Sequence, residues 1–276
     1  MGTTITANGA KLYHEVHGHG PALLIIAGAT GDGGWFDAVV EPLAARYTVV
    51  TYDRRGNSRS PRPVGWTTTS IPEQADDAAC LLRALQLEPA TVFGTSLGAI
   101  ITLELVARHP DVVERAIVHE PPLYDALPNA DDHRAQLRQL VEEAMSHGGP
   151  PAVLERLLRD VAGVPFDSTP AELRDRVLGN GDVFVGAELP AMAGYLPDLA
   201  AVRATGVPVL PVSGADTSGA LREIVAWLAD GLGVAPEQME GGHVPYVTHP
   251  AAMVSALTAP QPTGYRADRG GGARAR

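Results

Sequence analysis

The sequence predicts an α/β fold in which a mostly parallel sheet is flanked by helices and carries an inserted helical cap. Short apolar runs alternate with longer segments of helical period, which is typical of parallel strands joined by helices. The run Ala22–Ala27 is apolar throughout, as expected for a central strand that is buried on both faces. Residues 123–201 show helical patterns without clear strands, and the alternation resumes after them.

These patterns also predict how the chain is divided. We expect a core domain of residues 1–122 and 202–258 and a cap of residues 123–201. Residues 259–276 are rich in Pro, Gly and Arg, which predicts a disordered tail. No internal repeat is evident.

The predicted elements follow one another along the chain with prolines as punctuation. Pro72 and Pro89 bound one helix and Pro110 ends the next, as proline does at helix termini. The predicted strands are Ala22–Ala27, Tyr47–Tyr52, Ala90–Phe93, Val113–His119, Val207–Val212 and Glu237–Glu240. The predicted helices are Trp35–Arg46, Ile71–Leu87, Leu97–Arg108, Asp131–Ser146, Ala152–Val161, Ala171–Leu178, Ala220–Leu232 and a last helix from about Pro250.

Composition excludes several classes of partner. The 276 residues carry a formal net charge of −11, which repels nucleic acid and anionic lipid, so we expect a small-molecule substrate. Cys80 is the only cysteine, so the chain forms no internal disulfide and offers no cysteine metal site. The first ten residues lack a signal-peptide pattern and no apolar run is long enough to span a membrane, which favours a cytoplasmic protein. The oligomeric state is left open.

The segment Gly94-Thr-Ser-Leu-Gly98 carries the strongest chemical signal. It matches Gly-x-Ser-x-Gly and lies between a predicted strand and a predicted helix, the setting in which this motif holds a nucleophilic serine. The glycines allow neighbouring backbone to pass close to a strained turn. The helix that follows also points its positive end at the serine, so the Leu97 amide is placed to stabilise an oxyanion. We therefore predict that Ser96 is a nucleophile.

Four motifs resemble the α/β-hydrolase superfamily, and the resemblance covers roughly Thr3 to Leu257. They are Gly94-Thr-Ser-Leu-Gly98, Tyr52-Asp-Arg-Arg-Gly56, Leu23-Leu-Ile-Ile-Ala-Gly28 and Gly241-Gly-His243. The superfamily usually has His-Gly in the turn after the first central strand, whereas this chain has Ala27-Gly28. The resemblance implies that Ala29, or alternatively Thr30, donates the second oxyanion amide beside that of Leu97.

A serine nucleophile needs a base, which is most often histidine. His243 follows the last short strand, where the superfamily places its base, and His249 is the alternative. Surface roles suit six others, which are His14, His17, His19, His109, His133 and His147.

Two carboxylates qualify as the acid that orients His243. Asp216 follows the strand Val207–Val212, the superfamily's commonest position, but lies two residues after Gly214 instead of three. Glu120 ends the strand after the nucleophile helix. In a subset of the superfamily, which includes lactonases of the zearalenone-hydrolase type, the acid is a glutamate at the end of this strand. A buried glutamate is costly without a partner, so Glu120 is preferred. His119 is expected to point to the opposite side from Glu120, and Asp53 and Arg54 to tie loops beside the site.

Such a set predicts attack on an ester, lactone or thioester carbonyl through an acyl-enzyme, without a metal or organic cofactor. Apolar cap residues are expected to supply part of a substrate cleft and part of the cap's own core. They are Tyr124, Met145, Leu154, Leu157, Phe166, Met192, Tyr195 and Leu196. The alternative is a protein of this fold that does not hydrolyse, such as a lyase or cyclase of specialised metabolism or a ligand-binding receptor.

Overall fold

The computed structural model describes residues 2–217 and 219–259 and has an eight-stranded sheet at its centre. The strand order is β1-β2-β4-β3-β5-β6-β7-β8. The β1/β2 and β2/β4 pairs are antiparallel, and every pair from β4/β3 to β7/β8 is parallel. The strands are Thr3–Ala7, Ala10–His17, Ala22–Ile26, Thr48–Tyr52, Ala90–Thr95, Val113–His119, Val209–Gly214 and Glu237–Met239.

Helices connect the parallel strands and fill the long segment between β6 and β7. The α-helices α1 to α11 are Asp37–Ala44, Ile71–Leu85, Leu97–Arg108, Ala130–Arg156, Ala171–Gly179, Gly181–Val183, Leu189–Met192, Leu199–Ala204, Ala220–Leu232, Pro245–Thr248 and Pro250–Thr258. Short 3-10 turns are Gly33–Phe36, Pro110–Val112, Tyr124–Ala126 and Phe166–Ser168. Two segments, Leu157–Val161 and Phe184–Glu188, are π-helical.

The alternation of side chains along each strand builds a separate apolar core on each face of the sheet. On one face, strand residues such as Leu24 and Val92 pack with α2, α3 and α9. On the other, Leu23 and Phe93 pack with α1 and α11. Cys80 lies on α2 and packs against the first core.

The fold class is confirmed, and several elements have the predicted bounds. Helix α3, strand β6 and helix α9 begin and end at the predicted residues. The span Ala130–Arg156 consists of two helical segments, as predicted, because Gly149 between them is not helical, with φ of 67° and ψ of −159°. The described part of the chain contains no helix long and apolar enough to cross a membrane.

The domain boundaries stay predictions. Helices are the only regular elements between β6 and β7, and we call those between residues 124 and 192 the cap helices. Helix α8 (Leu199–Ala204) crosses the predicted boundary at residue 201 and packs against α3 and α9 of the core. The predicted tail lies outside the described residues, apart from Ala259.

Candidate active site

Ser96 occupies a sharp turn between β5 and α3. Its φ of 55° and ψ of −124° are rare for a residue with a side chain, and its amide donates to the His119 carbonyl at 2.9 Å. Such a conformation costs on the order of 1–3 kcal/mol and persists only where the surroundings enforce it. Here β5 ends at Thr95 and α3 begins at Leu97, so two regular elements fix the turn. Ser96 is therefore presented at the carboxyl edge of the parallel strands.

Three glycines let the backbone pack closely around this turn. A Cβ on Gly94 would lie 2.2 Å from Thr102 Oγ1, and a Cβ on Gly98 would lie 2.1 Å from the Ile26 carbonyl oxygen. A Cβ on Gly28 would lie 3.0 Å from the Cβ of Ser96. A side chain at Gly94 or Gly98 would therefore clash with neighbouring atoms, and Gly28 lets the loop after β3 pack against Ser96.

His243 and Glu120 form a hydrogen-bonded pair at the same edge of the sheet. Nδ1 of His243 lies 2.6 Å from Oε2 of Glu120, whose side chain is fully buried. Glu120 follows β6 with φ of 47°, and its Oε1 accepts from the Gly214 amide at 2.6 Å. The structure therefore brings the predicted base together with the preferred acid.

The charge of Glu120 sets the tautomer of His243. Burial by itself would raise the pKa of Glu120, but His243, His119 and Thr217 outweigh burial and lower the pKa to about 2. An ionised carboxylate only accepts hydrogen bonds, so the His243 proton lies on Nδ1 and leaves Nε2 free to accept one.

In the described part of the chain, Asp216, the alternative acid, makes no hydrogen bond or ion pair with His243. Its amide donates to the Gly241 carbonyl at 3.0 Å, and its side chain is exposed. The alternative base His249 is bound at 3.0 Å to Thr248 Oγ1.

His119 departs from the expected geometry. Its Nε2 lies 3.8 Å from Oε1 of Glu120, so the two side chains do not point to opposite sides. Strand alternation holds only within a strand, and Glu120 lies after the end of β6 with a left-handed φ. Burial, opposed by Glu120, lowers the pKa of His119 to about 4, and its Nδ1 lies 3.0 Å from Thr95 Oγ1.

Buried His119 should make stability depend on pH. An unfolded histidine titrates near 6.5, so between pH 6.5 and 4 the unfolded chain binds more protons and stability falls as pH falls. By pH 5 the loss is about 2 kcal/mol for this one group. We expect the decrease in Tm between pH 7.5 and 5, measured by differential scanning calorimetry, to be smaller for His119→Gln than for the wild type. The exposed His19→Gln is the control, and equal slopes for His119→Gln and wild type would contradict the expectation.

The amides expected to bind an oxyanion lie on two sides of Ser96. The Leu97 N–H is the first of α3 and has no partner within the helix. Ala29 and Thr30 lie in the turn after β3, which is closed by a Gly31 N–H to Gly28 carbonyl bond of 3.0 Å. Among the described residues, neither the Ala29 nor the Thr30 amide donates to a protein acceptor. Within the part of the chain that the structure describes, these amides therefore have no protein acceptor that would compete with an oxyanion.

Ser96 and His243 line one cavity of about 320 Å³ beneath the cap helices. Within the described residues no hydrogen bond joins Ser96 Oγ to His243, a contact that often tightens only when substrate binds. The residues that line the cavity from the core are Gly28, Ala29, Thr30, Ser96, Pro122, Leu221, His243, Val244 and Tyr246. Those from the helical segment are Tyr124, His133, Gln136, Leu137, Leu140, Leu154, Leu157, Leu158, Val161, Ala162, Phe184, Leu189 and Met192.

Half of the apolar residues expected at the cleft line this cavity, and the others lie elsewhere. Tyr124, Leu154, Leu157 and Met192 face it. The remaining four are Met145 and Leu196, which are exposed, Phe166, which packs on α1's side of the sheet, and Tyr195, which binds Glu104.

Sequence reasoning missed the polar part of the cavity wall. His133 was expected at the surface, but its ring lies 5.1 Å from the Tyr124 ring and lines the cavity. His133, Gln136, Leu137 and Leu140 share one face of α4, and this spacing could have shown that His133 faces the cavity.

His14, also expected at the surface, is buried on β2. Burial, together with the charge of Glu120, raises the pKa of Tyr124, so its phenol stays neutral.

Comparison with known proteins gives the family. A model of the α/β hydrolase fold family matches residues 21–218. The chain belongs to the α/β hydrolase fold family. Within the described residues, no group of three or more His, Cys, Asp or Glu side chains is arranged to hold a metal ion.

Individual relatives of this α/β hydrolase span nearly its whole length. The uncharacterized hydrolase YraK of Bacillus subtilis (strain 168) is 32% identical over 257 residues, which cover 89% of this chain and 90% of YraK. Zearalenone hydrolase of Bionectria ochroleuca is 28% identical over 255 residues, 90% of this chain and 92% of that protein. The crystal structure of an enol-lactonase from Burkholderia xenovorans LB400 shares the fold with a TM-score of 0.69 at 21% identity, covering 92% of this chain and 98% of that one.

Proposed function

We propose that this α/β-fold hydrolase is a serine hydrolase that cleaves an ester or lactone of a small, largely apolar substrate. The observation that carries the proposal is the 2.6 Å contact between His243 Nδ1 and Glu120 Oε2 at the cavity that Ser96 also lines. The contact leaves the other nitrogen of His243 to serve as base for Ser96. The name of the Bionectria ochroleuca relative agrees with hydrolytic chemistry on an organic small molecule.

The chemistry follows from these positions. Ser96 Oγ attacks the carbonyl carbon while His243 Nε2 takes its proton, and Glu120 stabilises the imidazolium. The Leu97 amide and that of Ala29 or Thr30 bind the oxyanion of the tetrahedral intermediate. Collapse breaks the bond to the alkoxy oxygen, which leaves with the proton from His243. Water, deprotonated by the same histidine, then hydrolyses the acyl-enzyme and restores Ser96.

The cavity supports an apolar substrate that carries few polar groups. Its volume of about 320 Å³ is at the lower end of the range for ligand pockets. Most of its wall is aliphatic or aromatic, and the polar side chains on the cap side are Tyr124, His133 and Gln136. A small alkyl or aryl ester, or a lactone, matches this distribution of polar and apolar surface.

Fluorophosphonate labelling tests the proposal directly. The probe reacts with an activated serine, so we expect one adduct, on the peptide that contains Ser96, detected by mass spectrometry. His243→Ala should lower the labelling rate by at least about 100-fold because general-base catalysis contributes 10²–10⁴-fold. His249→Ala is the matched control and should label at the wild-type rate. An unlabelled Ser96 in the folded wild type would refute the serine mechanism.

A further inference from the structure

Arg54 and Glu188 form an ion pair in the interior of the protein. Each side chain is 1% exposed, and Arg54 Nη2 lies 3.0 Å from Glu188 Oε2. Arg54 comes from the loop after β4, whereas Glu188 is the last residue of the π-helical segment Phe184–Glu188 among the cap helices. Asn57 Nδ2 also donates to Glu188, at 2.9 Å. Burying two charges is costly, so a pair at this position calls for a role.

The guanidinium of Arg54 also holds the loop beside Ser96. Its Nη2 donates to the Gly28 carbonyl at 2.7 Å. In a trans peptide the carbonyl and the following N–H point in opposite directions, so this bond directs the Ala29 N–H away from Arg54. Ala29 lines the cavity that contains Ser96. The positive charge of Arg54 beside the Gly28 carbonyl also polarises the Gly28–Ala29 peptide, which makes the Ala29 N–H a stronger hydrogen-bond donor.

A second contact from the cap segment reaches the same loop. Asn180, which is 2% exposed, donates from Nδ2 to the Thr30 carbonyl at 2.6 Å. The carbonyls of Gly28 and Thr30 flank the peptide that joins Ala29 to Thr30. Asn180 thus holds one side of this segment directly, and Glu188 acts on the other side through Arg54.

We propose that Arg54 and Glu188 are positioning residues for the oxyanion hole and that correct seating of the cap helices is a condition for turnover. The proposal rests on the proposed function, since it needs an oxyanion formed at Ser96. Glu188 acts through Arg54, and Arg54 acts through the Gly28–Ala29 peptide. π-Helical turns are rare and frequently occur at functional sites, in agreement with the position of Glu188.

Glu188→Gln tests the pair with little change in shape. Asn180 still holds Thr30, and Arg176 Nε still binds Asp32 Oδ2 at 2.9 Å, so the cap remains attached. Removal of an oxyanion donor costs 10²–10³ in kcat, and a misdirected donor should cost about tenfold to a hundredfold. We expect kcat for a simple ester to fall by that factor while KM changes by less than about threefold. Affinity for an alkyl boronic acid, which forms a tetrahedral adduct, should fall in parallel with kcat.

Asp77→Asn is the matched control. Asp77 is 2% exposed and pairs with Arg55, the neighbour of Arg54, and among the described residues its side-chain hydrogen bonds go to Arg55 and Asn8, not to the loop after β3. Asp77→Asn takes a negative charge away from the buried Arg55, as Glu188→Gln does from Arg54. Tm should therefore fall, while kcat and the affinity for the boronic acid keep their wild-type values. Equal losses of kcat in both variants would overturn the proposal.

The double variant Arg54→Met/Glu188→Met separates positioning from stability. Replacing a buried ion pair by apolar residues often preserves or raises stability. We expect a folded protein whose kcat is still reduced by at least about tenfold, because the Gly28 carbonyl has lost the charged Arg54 donor and keeps only the Gly31 amide. Wild-type kcat in this variant or in Glu188→Gln would overturn the positioning role. If such variants stay active and Ser96→Ala is inactive, the inference fails and the proposed function stands.

Discussion

Ser96→Ala should lower kcat by about 10⁶, the loss expected when a serine nucleophile that acts together with its base is removed. The oxyanion amides and the cavity remain in this variant, so KM should change little. The left-handed φ of Ser96 is enforced by β5 and α3, so the turn should persist with alanine. Turnover is measured with 4-nitrophenyl esters and with macrocyclic lactones, and Tm reports folding.

Ser255→Ala provides the control for this experiment. Ser255 is exposed on α11, away from the cavity, and its loss should leave kcat unchanged. Turnover of the substrate by folded Ser96→Ala at more than about one per cent of the wild-type rate is incompatible with an acyl-enzyme on Ser96.

Glu120→Gln should lower kcat by about 10⁴, with Tm measured alongside because Glu120 is fully buried. The amide nitrogen of glutamine donates a hydrogen bond, which favours the tautomer of His243 with its proton on Nε2. That tautomer cannot accept the proton of Ser96. The pKa of Glu120 is lowered to about 2, so its carboxylate stays charged throughout the accessible pH range and the acid limb of kcat/KM belongs to another group.

Asp216→Asn is the comparison that decides between the two acids. The side chain of Asp216 is exposed, so we expect kcat within about threefold of wild type. Loss of turnover in Asp216→Asn with retention in Glu120→Gln would assign the acid to Asp216 and contradict the pairing seen in the structure.

The parts of the fold that local signals specify were predictable from the sequence. Helix α3 begins at Leu97, within the glycine motif, and ends before Pro110, and both ends are determined by residues within a few positions. The break at Gly149 between the two predicted cap helices was also predictable, since Gly and Pro interrupt the helical pattern there. Residue types next to the break do not show in which direction the second helix continues.

The candidate site was predictable only where one strand end determines the position. Ser96 needs nothing beyond β5, α3 and two glycines. The partner of His243 depends on where the loops after β6, β7 and β8 meet, which is a property of the assembled sheet. Sequence therefore left Glu120 and Asp216 as alternatives.

The ion pair of Arg54 had no local signal at all. Its partner Glu188 lies 134 positions away in a segment of irregular helix. Asp53 and Arg54 were expected to tie loops, and Asp53 accepts from the Gly33 amide at 2.8 Å. What the sequence does not show is that Arg54 reaches the backbone beside Ser96.

The continuous helical insertion between β6 and β7 has an evolutionary consequence. Residues proposed for bond cleavage come from strand ends, whereas most residues that shape the cavity come from this one stretch of chain. Substrate range can therefore diverge by mutation, or by exchange of the insertion between paralogues, while the reaction is inherited unchanged. Asn180 and Glu188 limit that freedom, because a transplanted insertion would have to reproduce their contacts with the recipient's loops.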